Sequence, residues 1–131
     1  MERKQAVADA LAAQSGEFEW GGRDCVALAA EVVQRVTGKR VVLPTWDTEE
    51  EAQEEIARRG GLLAAVSEVL GDPMPAGQQC GDGDVVLLCA VVPGGAPFEM
   101  LGVWFGRGPV VHARHALMRA NARNIVAAWS I

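Results

Sequence analysis

An α+β domain is what this sequence predicts. Helix-type apolar periodicity runs as far as Leu70, β-type apolar runs fill the chain from Asp84 onward, and a Pro/Gly-rich stretch divides the two. At 131 residues, half of them hydrophobic, the chain has the size and the apolar content of one packed domain, taken as residues 1–131.

Residues 2–13 form a first short helix with Val7 and Leu11 on one face, and Ser15-Gly16 turns the chain after it. The stretch Glu17-Phe18-Glu19-Trp20-Gly21-Gly22 leads into Arg23-Asp24-Cys25. From Cys25 a second helix follows, because Cys25, Leu28, Ala29, Val32, Val33 and Val36 recur at helical spacing while Glu31, Gln34 and Arg35 form its wet side. Gly38 stops it. Apolar around most of its circumference, this helix is expected at the centre of the fold.

Residues 39–47 connect it to a third helix, which Thr48-Glu49-Glu50-Glu51 opens as a capping box and which runs to about Arg59. Its acids sit in the first turn, where the helix dipole favours them, and read as a solvated face. Gly60-Gly61 breaks the chain, residues 62–70 form a fourth helix closed by Gly71, and a loop covers 71–83. Residues 84–92 are then a strand, as are 101–105 and 109–113, joined through Gly106-Arg107-Gly108, with 125–130 as a last strand.

Charge and cysteine content narrow the function classes. A formal net charge of −5 argues against nucleic acid as the main partner. Residues 1–83 hold 15 acids and 8 bases and residues 84–131 hold 2 acids and 4 bases, so the mildly basic end is Arg107, Arg114, Arg119 and Arg123. Met1-Glu2-Arg3-Lys4-Gln5 opens a mixed amphipathic stretch unlike a secretory leader, and no window approaches the roughly 20 apolar residues of a membrane span. Cys25, Cys80 and Cys89 are odd in number and lack CxxC spacing, which fits a reducing compartment and opposes a disulfide scaffold or a zinc site. No metal and no cofactor is expected. Gly81-Asp82-Gly83-Asp84 reads as a turn into a strand, because a calcium loop would need a later glutamate ligand.

Cys25 is the residue on which chemistry can be built. A thiol in the first turn of a helix lies beside unpaired backbone N–H groups, which lower a thiol pKa and can donate to a developing oxyanion. Such a nucleophile needs a base brought from elsewhere, and the two histidines, His112 and His115, both stand at the end of the second hairpin strand. On spacing alone, a cysteine on a helix face is a core residue. Cys80 and Cys89 read as loop and core thiols, and Trp20, Trp46, Trp104 and Trp129 as packing anchors.

Trp20-Gly21-Gly22-Arg23-Asp24-Cys25 resembles the nucleophile segment of the NlpC/P60 cell-wall peptidases, and Gly83-Asp84-Val85-Val86-Leu87 resembles their GD-plus-apolar strand. Met100-Leu101-Gly102-Val103-Trp104 falls where that family has a His-Val-Gly-Ile-Tyr-like strand, and Val110-Val111-His112-Ala113 is similar to its apolar-apolar-His-Ala strand, 12 residues on. Ala128-Trp129-Ser130-Ile131 is similar to the ending of a short phage-encoded variant. The resemblance spans residues 17–131 and implies a papain-like fold, with N-terminal helices on a small antiparallel sheet. It also implies Cys25 as nucleophile and His112 as the orienting third member, with Trp20, Asp24 and Trp104 as candidates for the substrate cleft.

One position departs from the family. Where the resemblance implies the catalytic imidazole, this sequence has Met100, and a thioether takes no proton from a thiol. Loss of general-base assistance removes about 10²–10⁴ in rate. A three-residue hairpin turn, Gly106 to Gly108, sets Gly102 opposite His112, so that His112 shares a face with Met100. A two-residue turn, Arg107-Gly108, instead brings His115 opposite Met100 as a substitute base.

The expectation is therefore a catalytically impaired module of a phage tail tip, made in the host cytoplasm and docking to tail hub or other tail-tip proteins. The rival expectation is an active cysteine peptidase or amidase that cleaves peptidoglycan stem peptides during entry. A host papain-like enzyme or binding module unrelated to phages is the third.

Overall fold

The computed structural model describes residues 2–17, 19, 22–43, 48–75, 79–90, 98–112 and 116–131. Four helices precede five strands: α1 (Arg3–Ala13), α2 (Cys25–Thr37), α3 (Glu49–Arg58), α4 (Leu62–Leu70), β1 (Val85–Ala90), β2 (Phe98–Phe105), β3 (Gly108–His112), β4 (Leu117–Arg119) and β5 (Ile125–Trp129). The strands form one antiparallel sheet in the order β4-β3-β2-β1-β5, so the α+β expectation holds.

α2 is the hub of the core. Asp24 caps it, its carboxylate accepting the Ala27 N–H at 2.7 Å, and the helix ends at Gly38. Val26, Ala29 and Val33 pack with Val85, Leu87, Leu101 and Trp129, while Leu28 and Val32 pack with Val7 and Ala10 of α1 and with Val103. Two apolar sides are thus satisfied at once, one by the sheet and one by α1, which is why the sequence of α2 is apolar around most of its girth. α3 opens as its capping box predicts, Thr48 accepting the Glu51 N–H at 3.1 Å. The Arg59 guanidinium then ties α3 to α4 through Glu55 and Glu68.

The sheet's other face carries a second apolar layer of Val86, Leu88, Val111 and Ala128, packed by Met74, Cys80, Met100 and Ile125. Beside β5, Met74 donates its N–H to the Ala128 carbonyl at 2.7 Å, and the buried Trp129 indole donates to the Gly71 carbonyl at 3.0 Å. The β1–β5 register shifts between Leu87 and Leu88, a bulge that leaves Val126 60% exposed.

A buried carboxylate joins the two ends of the chain. Asp84, 5% exposed, accepts the Gly81 N–H at 2.8 Å, the Ile131 N–H at 3.2 Å and the Arg3 guanidinium at 3.2 Å. Arg3 also donates to the Asp82 carbonyl, and the Asp82 carboxylate accepts the Gly106 N–H at 2.7 Å. Between the two acids, Gly83 has φ +90°, and a Cβ there would lie 3.2 Å from both Val7 and Val36. Only glycine takes that backbone at that closeness. The Gly81–Asp84 segment is thus a turn into β1, as expected.

The hairpin register is a correction. Phe105 pairs with Gly108, Trp104 with Pro109 and Val103 with Val110, so the turn is Gly106-Arg107 and matches neither expected register. Gly108 is the first residue of β3 by its pairing with Phe105, and the Arg119 guanidinium from β4 donates to both of their carbonyls. β4 and the first residues of β2, Phe98 to Met100, were not expected as strand.

Replacing Asp84 by Ala removes a buried acceptor from two partly buried amide donors and a guanidinium, and Asp84→Ala is expected to lower unfolding stability by about 2–3 kcal/mol in urea titrations. Arg3→Ala removes only a half-exposed partner, and its expected cost is below about 1 kcal/mol.

Candidate functional site

The approach to Cys25 is built by a tight turn. Glu19 and Arg23 exchange backbone hydrogen bonds at 3.0 and 2.8 Å, and the Arg23 guanidinium holds the Glu17 carbonyl at 3.1 Å and the Glu19 carboxylate at 3.3 Å. This turn delivers Asp24 to its capping position and Cys25 to the first residue of α2. Trp20, a cleft candidate, lies outside the described residues, as do Trp46 and His115.

The thiol lies between α2 and β2. Cys25 packs against the cluster of Val26, Leu87 and Leu101, and the backbone of Leu101 hydrogen-bonds the sulfur. Burial is the strongest influence on this thiol and raises its pKa. The Leu101 hydrogen bond and the N–H groups of Cys25 and Val26 pull it down, and the Asp24 charge pushes it up. The balance leaves it at about 11, so the helix terminus loses to burial. None of these groups is an imidazole. Cys80, in the second apolar layer, is likewise raised by burial and by the Asp84 charge.

His112 is 5% exposed and pairs with Leu117 of β4. Leu117 packs among Val7, Leu28, Val32 and Val103, so the shared face of this pair looks toward α1 and α2. Leu101 and His112 each lie two residues past the Val103–Val110 pair, on adjacent strands. The histidine thus stands on the side of the sheet where the thiol sits.

Met100 stands on the opposite side. It pairs with Leu88 and packs in the layer of Val86, Leu88 and Val111. The expectation that Met100 and His112 share a face is therefore corrected: the Gly106-Arg107 turn shifts the pairing by one residue, and such a slip exchanges faces. Trp104 alternates with Val103 and so projects from the same side as Met100, while its indole N–H donates to the Gly106 carbonyl at 2.9 Å. Gly102 lets β2 and β3 close: a Cβ there would lie 2.7 Å from the Val110 carbonyl and 2.9 Å from Val111.

The contribution of Leu101 to the site was not foreseen, since a backbone group leaves no side-chain signature in a sequence. Among the described residues no group of three His, Cys, Asp or Glu side chains is placed to hold a metal ion. No helix among them is long and apolar enough to cross a membrane.

The raised thiol has a consequence for stability. A folded-state pKa of about 11, against 9.0 for a free thiol, means that stability is intact below pH 9 and is lost as the pH rises toward 11. At pH 10 the loss relative to pH 7 should be about 1 kcal/mol larger in the native chain than in Cys25→Ala, read from denaturant unfolding at both pH values.

One family model matches residues 2–131, and its description is "Domain of unknown function (DUF6950)". No curated protein matches the chain.

Proposed function

The chain belongs to the DUF6950 family, and we propose that it is an NlpC/P60-like, papain-like module that no longer hydrolyses and serves as a structural or assembly component of a phage tail tip. The observation that carries the loss of activity is the packing of the thiol against β2, with Met100, at the position of the base, on the other face of the sheet. Cys25 occupies the position of a nucleophile, at the head of the central helix and against β2, yet burial holds its pKa at about 11. A nucleophile of this kind works as the thiolate, and none of the groups acting on the sulfur is an imidazole that could take its proton.

The papain-like reading is supported by the thiol at the head of a helix packed on an antiparallel sheet, and by β1 opening on Gly83-Asp84. The tail-tip reading rests on the resemblance to the short phage-encoded variant, through Ala128-Trp129-Ser130-Ile131 above all. Its partners are then the tail hub or neighbouring tail-tip proteins, and its place is the virion tail tip.

A second reading is favoured by one observation. His112 lies on the thiol's side of the sheet, level with the strand residue that hydrogen-bonds the sulfur. In an active cysteine hydrolase of peptidoglycan stem peptides, His112 itself would then take the proton, in place of the base absent at Met100.

Alkylation separates the two. With a pKa of about 11, about one thiol in 10⁴ is ionised at pH 7, against about one in 10² for an unperturbed cysteine at 9.0. Cys25 should therefore react about a hundredfold more slowly with iodoacetamide in the native chain than in the urea-unfolded chain, and His112→Ala should leave that rate unchanged. Native Cys25 that alkylates as fast as the unfolded thiol, and slows in His112→Ala, would establish the hydrolase instead. For the tail tip, purified virions should contain the protein at a fixed copy number; its absence from them would defeat that assignment.

A further inference from the structure

A cavity of about 250 Å³ opens between the first two turns of α2, at Val26, Ala27 and Ala30, and the segment 40–43 that follows the helix. Its floor is firm, because Val26 and Leu43 are both buried in the central core cluster with Val85 and Trp129. Val42 stands 79% exposed beside it, an aliphatic side chain left in water at the mouth of an apolar recess. The charge in its wall is Arg40, which is exposed and makes no ion pair with any described residue. Each of the other arginines of the helical half holds an acid: Arg3 that of Asp84, and Arg23, Arg35, Arg58 and Arg59 acids within their own element or the next.

We propose that this cavity docks the C-terminal residue of a partner polypeptide, taking its apolar side chain between Val26, Ala30 and Leu43 and its free carboxylate on the Arg40 guanidinium. Size and charge both lead there. Pockets for drug-sized ligands run from about 300 to 1,000 Å³, so this one suits a single residue. Within one residue, a chain terminus carries both an apolar side chain and a carboxylate. An internal aspartate or glutamate brings the charge without the apolar group. A guanidinium accepts a carboxylate through two parallel N–H donors, which fixes orientation as well as charge. Capture of a terminal carboxylate is an established mode of peptide recognition. The inference needs neither an active Cys25 nor the papain-like reading, since it stands on the cavity and Arg40 alone.

The test is a titration of the ¹⁵N-labelled full chain with a hexapeptide ending in Val-Leu, as the free acid, as the C-terminal amide, and with the last Leu replaced by Ser. The free acid should shift the amides of Ala27, Ala30 and residues 40–43 saturably, and the amide and the Ser-ended peptide should each bind about tenfold more weakly. Arg40→Gln, at an exposed site that leaves the fold intact, should weaken the acid about tenfold and make acid and amide equal. Ala30→Leu fills the cavity and should abolish binding of every peptide; an unchanged spectrum outside 26–43 shows that the variant remains folded. Equal binding of acid and amide by the native chain, or no saturable shift at millimolar peptide, overturns the proposal. So does 4-methylpentanoate binding as tightly as the peptide, which would make the cavity a site for small acids instead.

Discussion

The carboxylate of Asp84 is the point at which the chain's two ends and the mouth of its first strand meet. It accepts from Arg3 at the head of α1, from Gly81 in the loop before β1, and from Ile131 at the last residue. Beside it, Asp82 reaches the hairpin tip at Gly106, and the Asp84 carbonyl takes the Trp104 N–H at 2.8 Å. With α1 and β1 held in this way, α2 has one place to go: between Val7 and Ala10 on one flank and the sheet on the other. That position presses the head of α2 against β2 at Leu101, and it is what leaves Cys25 only partly exposed. The polar anchor at one end of the sheet and the protonated thiol further along it are thus parts of a single arrangement.

At Cys25 two familiar effects oppose one another. A helix start lowers a thiol pKa through its free N–H groups, and burial raises it by denying water to the thiolate. Either can dominate, and which one does depends on how tightly the helix head is packed. Here the sheet comes close enough that burial wins, although Leu101 supplies an additional hydrogen bond to the sulfur. The residue that makes a reactive cysteine recognisable, its place at the start of an amphipathic helix, is legible in sequence. What raises its pKa is not, because the closeness of β2 is a property of the whole packing.

Much of the fold was readable for local reasons. Asp24 and Thr48 announce helix starts by chemistry confined to three or four residues, and the α2 periodicity marks its buried sides without reference to the rest of the chain. The second half was harder. Whether Gly108 closes the hairpin turn or opens β3 is settled by its pairing across the sheet, where Arg119, eleven residues further on, also donates to the Gly108 carbonyl. A pairing shift of one residue then reverses which side of the sheet each later residue faces, and so Met100 and His112 part company. β4, three residues long and largely exposed, carries too little apolar pattern to be seen at all. Sequence similarity compared these positions along the chain, whereas the distinction between them lies across the sheet.

The treatment of β5 bears on how such a domain associates. It lies at the margin of the sheet, where free backbone groups ordinarily invite another chain to extend the ladder. Met74 takes the Ala128 carbonyl, and the bulge at Val126 bends what remains. At the opposite margin β4 offers three residues only. Neither border is a good template for strand addition, so edge-to-edge pairing between copies of this molecule is disfavoured.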